Sequence, residues 1–231
     1  MAAATISDLI YDVGFNNGDD TGFYLSQGYR VLAIEANPSL SEAGKKRFQR
    51  EVAKGTLQIL NMGIGENEGC ADFWICDEKA QFSSFHRSSA SRDSLKHYSV
   101  KVPTTRFKTV LEKYGTPYYL KIDIEGHEKL CLDDLSTTSL PHFISTECEC
   151  PTNSDVRSAE EGLHILNILR DIGYKKFKLI HQLTFCSMSQ PDSLNHLVDT
   201  YCRRLLVQSQ VRNLKGVYRL TSYLMVKPRL E

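Results

Sequence analysis

The chain has 231 residues, room for one α/β domain and little more. Its 28 Lys and Arg balance its 28 Asp and Glu, which leaves no broad basic footprint and argues against a nucleic-acid partner. The first eight residues hold no basic stretch and no sustained apolar run, and no run of about 18 apolar residues occurs anywhere, so neither a signal peptide nor a membrane span is expected. A cytoplasmic location follows as the expectation, and the seven cysteines agree with it. They are scattered at positions 70, 76, 131, 148, 150, 186 and 202, with no C-x-x-C pair. That pattern suits reduced thiols better than a disulfide framework or a zinc site.

Ile6 to Val13 reads as a strand that runs into the turn Gly14-Phe-Asn-Asn-Gly18. Asp19 and Asp20 start a helix to about Gln27, closed by Gly28. Tyr29 to Ile34, apolar but for Arg30, has the mark of a strand buried on both faces. A helix begins near Pro38, runs to about Ala53 and is closed by Gly55. Leu57 to Met62 is a third buried strand, completing a βαβαβ half-sheet. Ala71 to Cys76 reads as an accessory strand, Gln81 to His97 as a polar loop, Ser99 to Thr104 as a short strand and Phe107 to Tyr114 as a helix. Tyr118 to Ile124 is a clear buried strand, with a helix from about His127. His142 to Cys148 is a fifth core strand. Ala159 to Ile172 is a helix with apolar residues at 163, 166, 169 and 172. Tyr174 to Leu183 and Val217 to Val226 are strands flanking a long, partly helical segment, Ser187 to Lys215.

Strand and helix alternate until this last excursion. The pattern predicts an α/β fold: a doubly wound, mostly parallel seven-stranded sheet with an antiparallel strand near its edge. Residues 1–231 are expected to form a single domain, with 187–216 as a candidate substrate lid. The alternative for that segment, and the favoured one, is a solvated helix face bearing Arg203, Arg204, Arg212 and Lys215.

Ligands of such sheets bind outside the carboxyl ends of the strands, at the point where strand order reverses. Gly14 and Gly18 allow a sharp turn and a close backbone approach. Glu35, twenty-one positions after Gly14, ends the second strand, where a carboxylate can accept both vicinal ribose hydroxyls. Strand, glycine turn, helix, strand and acid in this order point to a nucleoside ligand. The turn is G-x-x-x-G rather than the dinucleotide G-x-G-x-x-G, and two acids begin the next helix, where a pyrophosphate would be repelled. S-adenosylmethionine (SAM), which has no phosphate and carries an ammonium, fits better than NAD.

Asp123, at the end of the fourth core strand, is the first candidate to orient or deprotonate an acceptor, and His127 the second. Glu125 precedes the glycine of the next turn. Lys121 shares a strand face with Asp123, so both face the crevice or both pack under a helix. His127 is equally readable as a solvent-facing residue of a first helical turn, and Glu128 as a partner of that helix's positive end. Glu147, ending the fifth strand, and Ser84 and His86, in the polar loop, are candidate acceptor contacts. Asp123, Glu125 and Glu147 offer oxygens of the kind magnesium or calcium takes, but their spacing demands no metal and none is expected.

These residues resemble the FkbM family of SAM-dependent methyltransferases. The matching pieces are Asp12-Val-Gly-Phe-Asn-Asn-Gly18, Ala33-Ile-Glu-Ala-Asn-Pro38, Asn61-Met-Gly-Ile-Gly65, Ser83-Ser84, Val102-Pro-Thr-Thr105, Lys121-Ile-Asp-Ile-Glu-Gly-His-Glu128 and Glu147, in the family's order. The most specific is K-x-D-x-E-G-x-E. The resemblance implies a class I methyltransferase fold with SAM held by Asp12, Gly14, Asn17, Gly18, Glu35, Ala36, Asn61, Met62, Gly63 and Asp123. It also implies O-methylation of a small molecule or sugar. Two other functions fit the fold pattern: an NAD-dependent oxidoreductase and a non-catalytic binding protein.

Overall fold

In the computed structural model, which describes residues 5–90, 96–149, 156–181 and 221–228, the first apolar run becomes β1 (Ile6–Val13), buried from Leu9 onward. The chain then forms α1 (Asp19–Ser26), β2 (Arg30–Glu35), α2 (Pro38–Arg47), α3 (Gln49–Lys54), β3 (Leu57–Asn61), β4 (Gly63–Ile64) and β5 (Gly69–Cys76). It continues as α4 (Arg87–Ala90), β6 (His97–Thr105), α5 (Phe107–Tyr114), β7 (Pro117–Ile122) and α6 (Glu128–Asp133). A second compact unit begins at His142, after a first that ends at Pro141. It holds β8 (Phe143–Glu149), α7 (Val156–Asp171), β9 (Tyr174–His181) and β10 (Thr221–Pro228).

In the first unit β3, β2, β1 and β7 lie side by side in that order, and every pairing is parallel. Such strands face helices on both sides, which is why they are mostly apolar along their length. Val13 is level with Ile34 on one flank and with Ile122 on the other, so the strands end together. The chain winds outward from β1 to β3, then returns to β7 on the far side of β1. The strand order therefore reverses between β1 and β7. In the second unit β10 runs antiparallel to both β8 and β9, as expected for the last strand. Leu166 and Leu169 of α7 are buried, at two of the four apolar positions that the helical spacing marks.

Several boundaries differ from the sequence expectation. The helix expected from Pro38 to about Ala53 breaks at Phe48 into α2 and α3. Phe48 joins the cluster of Phe15, Val31, Ala33, Leu57 and Ile59, and its ring meets Phe15 edge-on at 6.2 Å. Gly18, not Asp19, is the cap residue of α1. The stretch Gln81 to His97 is not all loop, because α4 lies within it and β6 already begins at His97. β4 is only two residues long and is held by pairing with β6, which also pairs with β5 in a separate small sheet. The expected lid, 187–216, lies outside the described residues, and so do Arg203, Arg204, Arg212 and Lys215.

Candidate active site

Beyond the ends of β1 and β7 two turns face the reversal point. The first follows β1. Gly14 has φ +88°, and a Cβ on it would stand 1.8 Å from the Asp123 carbonyl oxygen. The glycine is therefore required by contact with the neighbouring strand end, before any ligand is considered. Gly18 also has positive φ, as does Asn16 at +51°. Asp12 and Lys121 lie beneath this turn. The Lys121 ammonium donates to Asp12 Oδ1 at 2.9 Å and to the Gly14 carbonyl at 2.8 Å. The fully buried Asp12 also accepts from Thr21 Oγ1 at 2.7 Å. Lys121 is buried, with its ammonium held against β1 and the turn that follows it. Asp123 does not share its strand, because β7 ends at Ile122.

Glu35 closes the cradle from β2. Its Oε2 accepts from the Asn16 N–H at 2.7 Å and its Oε1 from the Asn37 N–H at 2.8 Å. Each oxygen keeps a lone pair for a hydroxyl donor, so the group fits a ribose diol. Burial is the main reason its carboxyl is pushed up to about 7, against the lowering pull of those two N–H groups. Asn61 spends its side-chain amide on the carbonyls of Glu35 and Ala36, fixing the acid's backbone. Asn17 exchanges hydrogen bonds with Asp19, and Arg47 reaches from α2 to the Asn17 carbonyl at 2.7 Å and to Asp19 at 2.8 Å. Sequence reading missed Arg47. The basic run Lys45-Lys46-Arg47 shows its charge but not its reach across the turn.

The second turn follows β7. Asp123 anchors it, its N–H donating to the Val13 carbonyl at 2.9 Å. Glu125 has φ +53°, a left-handed conformation uncommon outside glycine. Two groups impose it. Ser84 Oγ, fully buried, donates to the Glu125 carbonyl at 3.1 Å. The Glu128 carboxylate accepts from the N–H groups of Ile124 and Gly126, at 3.1 Å and 3.0 Å. Glu128 is thus the brace of the turn as well as an acid in the first turn of α6, and burial raises its pKa. Carboxylate oxygens of Asp123 and Glu125 come within 4.8 Å of each other, and both side chains are half-buried.

His127 and His86 meet at the rim of this turn, their Nε2 atoms 3.1 Å apart. The His127 ring stacks on Phe85 at 5.2 Å between centroids. Burial first, and the neighbouring His86 second, lower the His127 pKa from its ordinary value. Phe85 also packs beside Ala36 against the core of the small sheet, and its ring fills the space that a side chain at Gly63 would need. No sequence signal marked Phe85. Met62 is half-buried at the end of β3. Glu147 lies in the second unit, buried in β8 with its backbone opposite Tyr223.

A cradle that offers a buried acid and two turns, with acids rather than open amides at the helix start, suits a nucleoside without pyrophosphate. The architecture is that of the Rossmann-like, SAM-dependent methyltransferases. Within that class, the methyltransferase FkbM domain matches residues 12–176, and the chain belongs to this family. Membership sets aside the NAD-dependent reading. A methyltransferase FkbM from Methylobacillus flagellatus KT has a similar fold, with a TM-score of 0.53 and 14% identity over 95% of this chain. The present chain spans 43% of that protein's length. A putative methyltransferase from Streptococcus mutans, solved with S-adenosylhomocysteine (SAH), aligns over 99% of this chain and 92% of its own at 10% identity and a TM-score of 0.46. A putative rRNA methylase from Clostridium thermocellum aligns over 99% and 90% at 10% identity and a TM-score of 0.47. No curated protein matches the sequence. Among the described residues no helix is long and apolar enough to cross a membrane, and Cys70, Cys76 and Cys131 are free thiols.

Proposed function

We propose that this chain transfers a methyl group from SAM to a hydroxyl of a small molecule or sugar, as a single-domain cytoplasmic enzyme that does not act on nucleic acid. SAM supplies the electrophilic methyl carbon. The cofactor end consists of Glu35 for the ribose diol, Ala36, Asn61, Met62 and Gly63 beside the adenine, and Gly14, Asn17 and Gly18 for the amino-acid end. Asp12 and Lys121 hold the first turn from beneath rather than touching the acceptor.

The observation that carries the hydroxyl reading is the pair of half-buried carboxylates, Asp123 and Glu125, beside the first turn. Carboxylates accept hydrogen bonds from hydroxyl groups and hold them in line for displacement at carbon. Ser84 supports this reading by fixing Glu125. The balanced charge of the chain suits a small acceptor better than an RNA.

The test is incubation with SAM and fractionated cell metabolites, following SAH release and a mass gain of one methylene in the acceptor. A methyl ether as product is expected. An amine, carbon or RNA product would overturn the acceptor class. Absence of SAM and SAH binding would overturn the whole reading.

A further inference from the structure

We propose that His86 is the general base of the transfer and that His127 is its positioning partner. The inference rests on the hydroxyl-acceptor reading above. It reassigns the proton-taking role on geometry alone.

His127 is locked. One face of its ring lies on Phe85, nearly parallel at 11°. Phe85 is itself wedged over Gly63, where a Cβ would stand 2.2 Å from the ring. His127 Nδ1 is buried and makes no hydrogen bond among the described residues. Its other nitrogen, Nε2, is 3.1 Å from His86 Nε2. Neither nitrogen of His127 lies open to an incoming hydroxyl.

His86 differs in the respects that matter. Its ring is exposed and crosses His127 edge-on, with centroids 4.7 Å apart. Two neutral imidazoles in such contact share one hydrogen between their Nε2 atoms. In the proposed arrangement His127 Nε2 is the acceptor, so His86 donates through Nε2 and carries its lone pair on Nδ1. A base whose tautomer is set by a third group is the arrangement of activated nucleophilic sites. His86 is also placed against the second turn. Its backbone N–H donates to Ser84 Oγ at 3.1 Å, the hydroxyl that holds the Glu125 carbonyl. A Cβ on Gly126 would lie 3.6 Å from His86 Cδ2.

The charged groups around the pair are Glu66, near His127, and Glu125, on the turn that Ser84 ties to His86. Arg87 is turned onto the Trp74 ring, 4.9 Å from its centroid, and toward His97. In the step itself the acceptor O–H breaks and its proton passes to His86 Nδ1. The oxygen bonds the methyl carbon, and the carbon–sulfur bond breaks with its electron pair left on sulfur. Neutral His127 accepts the hydrogen bond of the His86 cation, and the exposed ring then releases the proton to water.

The experiment is long-range nitrogen–proton NMR on the full chain, as wild type, His127→Phe and His86→Gln, together with turnover and SAH affinity of each. Expected in the wild type are the Nε2–H tautomer at His86 and Nδ1–H at His127. His127→Phe keeps the stacking but removes the acceptor. It should mix the His86 tautomers and lower turnover about tenfold or more, with SAH affinity within about twofold. His86→Gln should lower turnover by about 10²–10⁴, with SAH affinity within about twofold. A fixed Nδ1–H tautomer at His86 would overturn the proposal. So would near-normal turnover in His86→Gln. If no hydroxyl acceptor is turned over, the acceptor reading fails, and the tautomers still decide the pairing.

Discussion

The two turns that face each other beyond β1 and β7 are built on opposite principles. The turn after β1 is held from below by buried charge: Lys121 grips Asp12 and the Gly14 carbonyl, and glycine meets the steric demand. The turn after β7 is held from its sides, by Ser84 and by the carboxylate of Glu128, and it forces a glutamate into a left-handed conformation. One turn is a foundation and the other stores strain, which persists only where the surroundings over-determine it. Damage to the first should therefore remove fold and cofactor binding together. Damage to the second should separate stability from turnover.

Lys121→Met gives the largest effect. It keeps the volume but leaves the Asp12 carboxylate buried without its cation. Breaking a buried pair in this way costs about 3–5 kcal/mol, which lowers the melting temperature by roughly 10 °C or more in a chain of this size. SAH binding should be lost in parallel, as calorimetry would show, and adding Asp12→Asn should recover part of both. A variant that melts normally would show that the ion pair is not the foundation.

Asp123→Asn tests the other turn. It keeps the side chain's size but removes its charge and basicity. Turnover should fall by about 10²–10⁴ with SAH affinity within a few fold. A joint fall in melting temperature, SAH binding and turnover would move Asp123 from the acceptor to the scaffold.

The first turn was legible in the sequence and the second only partly so. Ile6 to Val13 is bounded by a charged strand start and a glycine turn, and the strand has those limits. Glu35 is legible because a single acid after four apolar residues has few other places to be. What fixes the second turn comes from far along the chain. Ser84 and Glu125 are 41 residues apart, as are His86 and His127. They meet because β5 returns the chain across its small sheet, and pairing between distant strands leaves no periodicity to read. Phe48 breaks a helix that local propensity would continue, because Phe15 supplies a better partner. β4 has two residues, too few for any pattern. Asp123 looked like a strand residue, and the strand stops one residue earlier.

Glu35 sharpens the comparison through pH. Its carboxyl is pushed from an ordinary 4.5 up to about 7 by burial. A folded-state value above the unfolded one favours the protonated acid. Stability from this group is thus full below about pH 4.5 and is lost as pH rises to 7, on the order of 3 kcal/mol in all. Ligand affinity runs the other way, because ribose hydroxyls donate to the carboxylate. SAH binding should weaken up to about tenfold for each pH unit below 7, and Glu35→Gln should flatten that dependence. Equal SAH affinity at pH 5.5 and 8 would remove Glu35 from the ribose.

The smallest effect is the most diagnostic. Glu125 sits at φ +53°, where an L side chain costs about 1–2 kcal/mol and glycine costs nothing. Glu125→Gly relieves that strain, but glycine also gains freedom in the unfolded chain, which takes back about 0.5–1 kcal/mol. The net gain is at most about 1.5 kcal/mol, a rise of no more than roughly 3–6 °C in melting temperature. Activity should move the opposite way, because the carboxylate beside Asp123 is gone. Glu125→Gln serves as the control: it retains the strained backbone and the size, so its melting temperature should match the wild type while its turnover falls with that of Glu125→Gly. A protein that tolerates strain for function shows this crossing, with the glycine variant more stable and less active. If Glu125→Gly melts several degrees lower, the side chain is part of the scaffold. If it melts higher and turns over normally, the left-handed residue has no part in the reaction, and the contrast between the two turns is one of geometry alone.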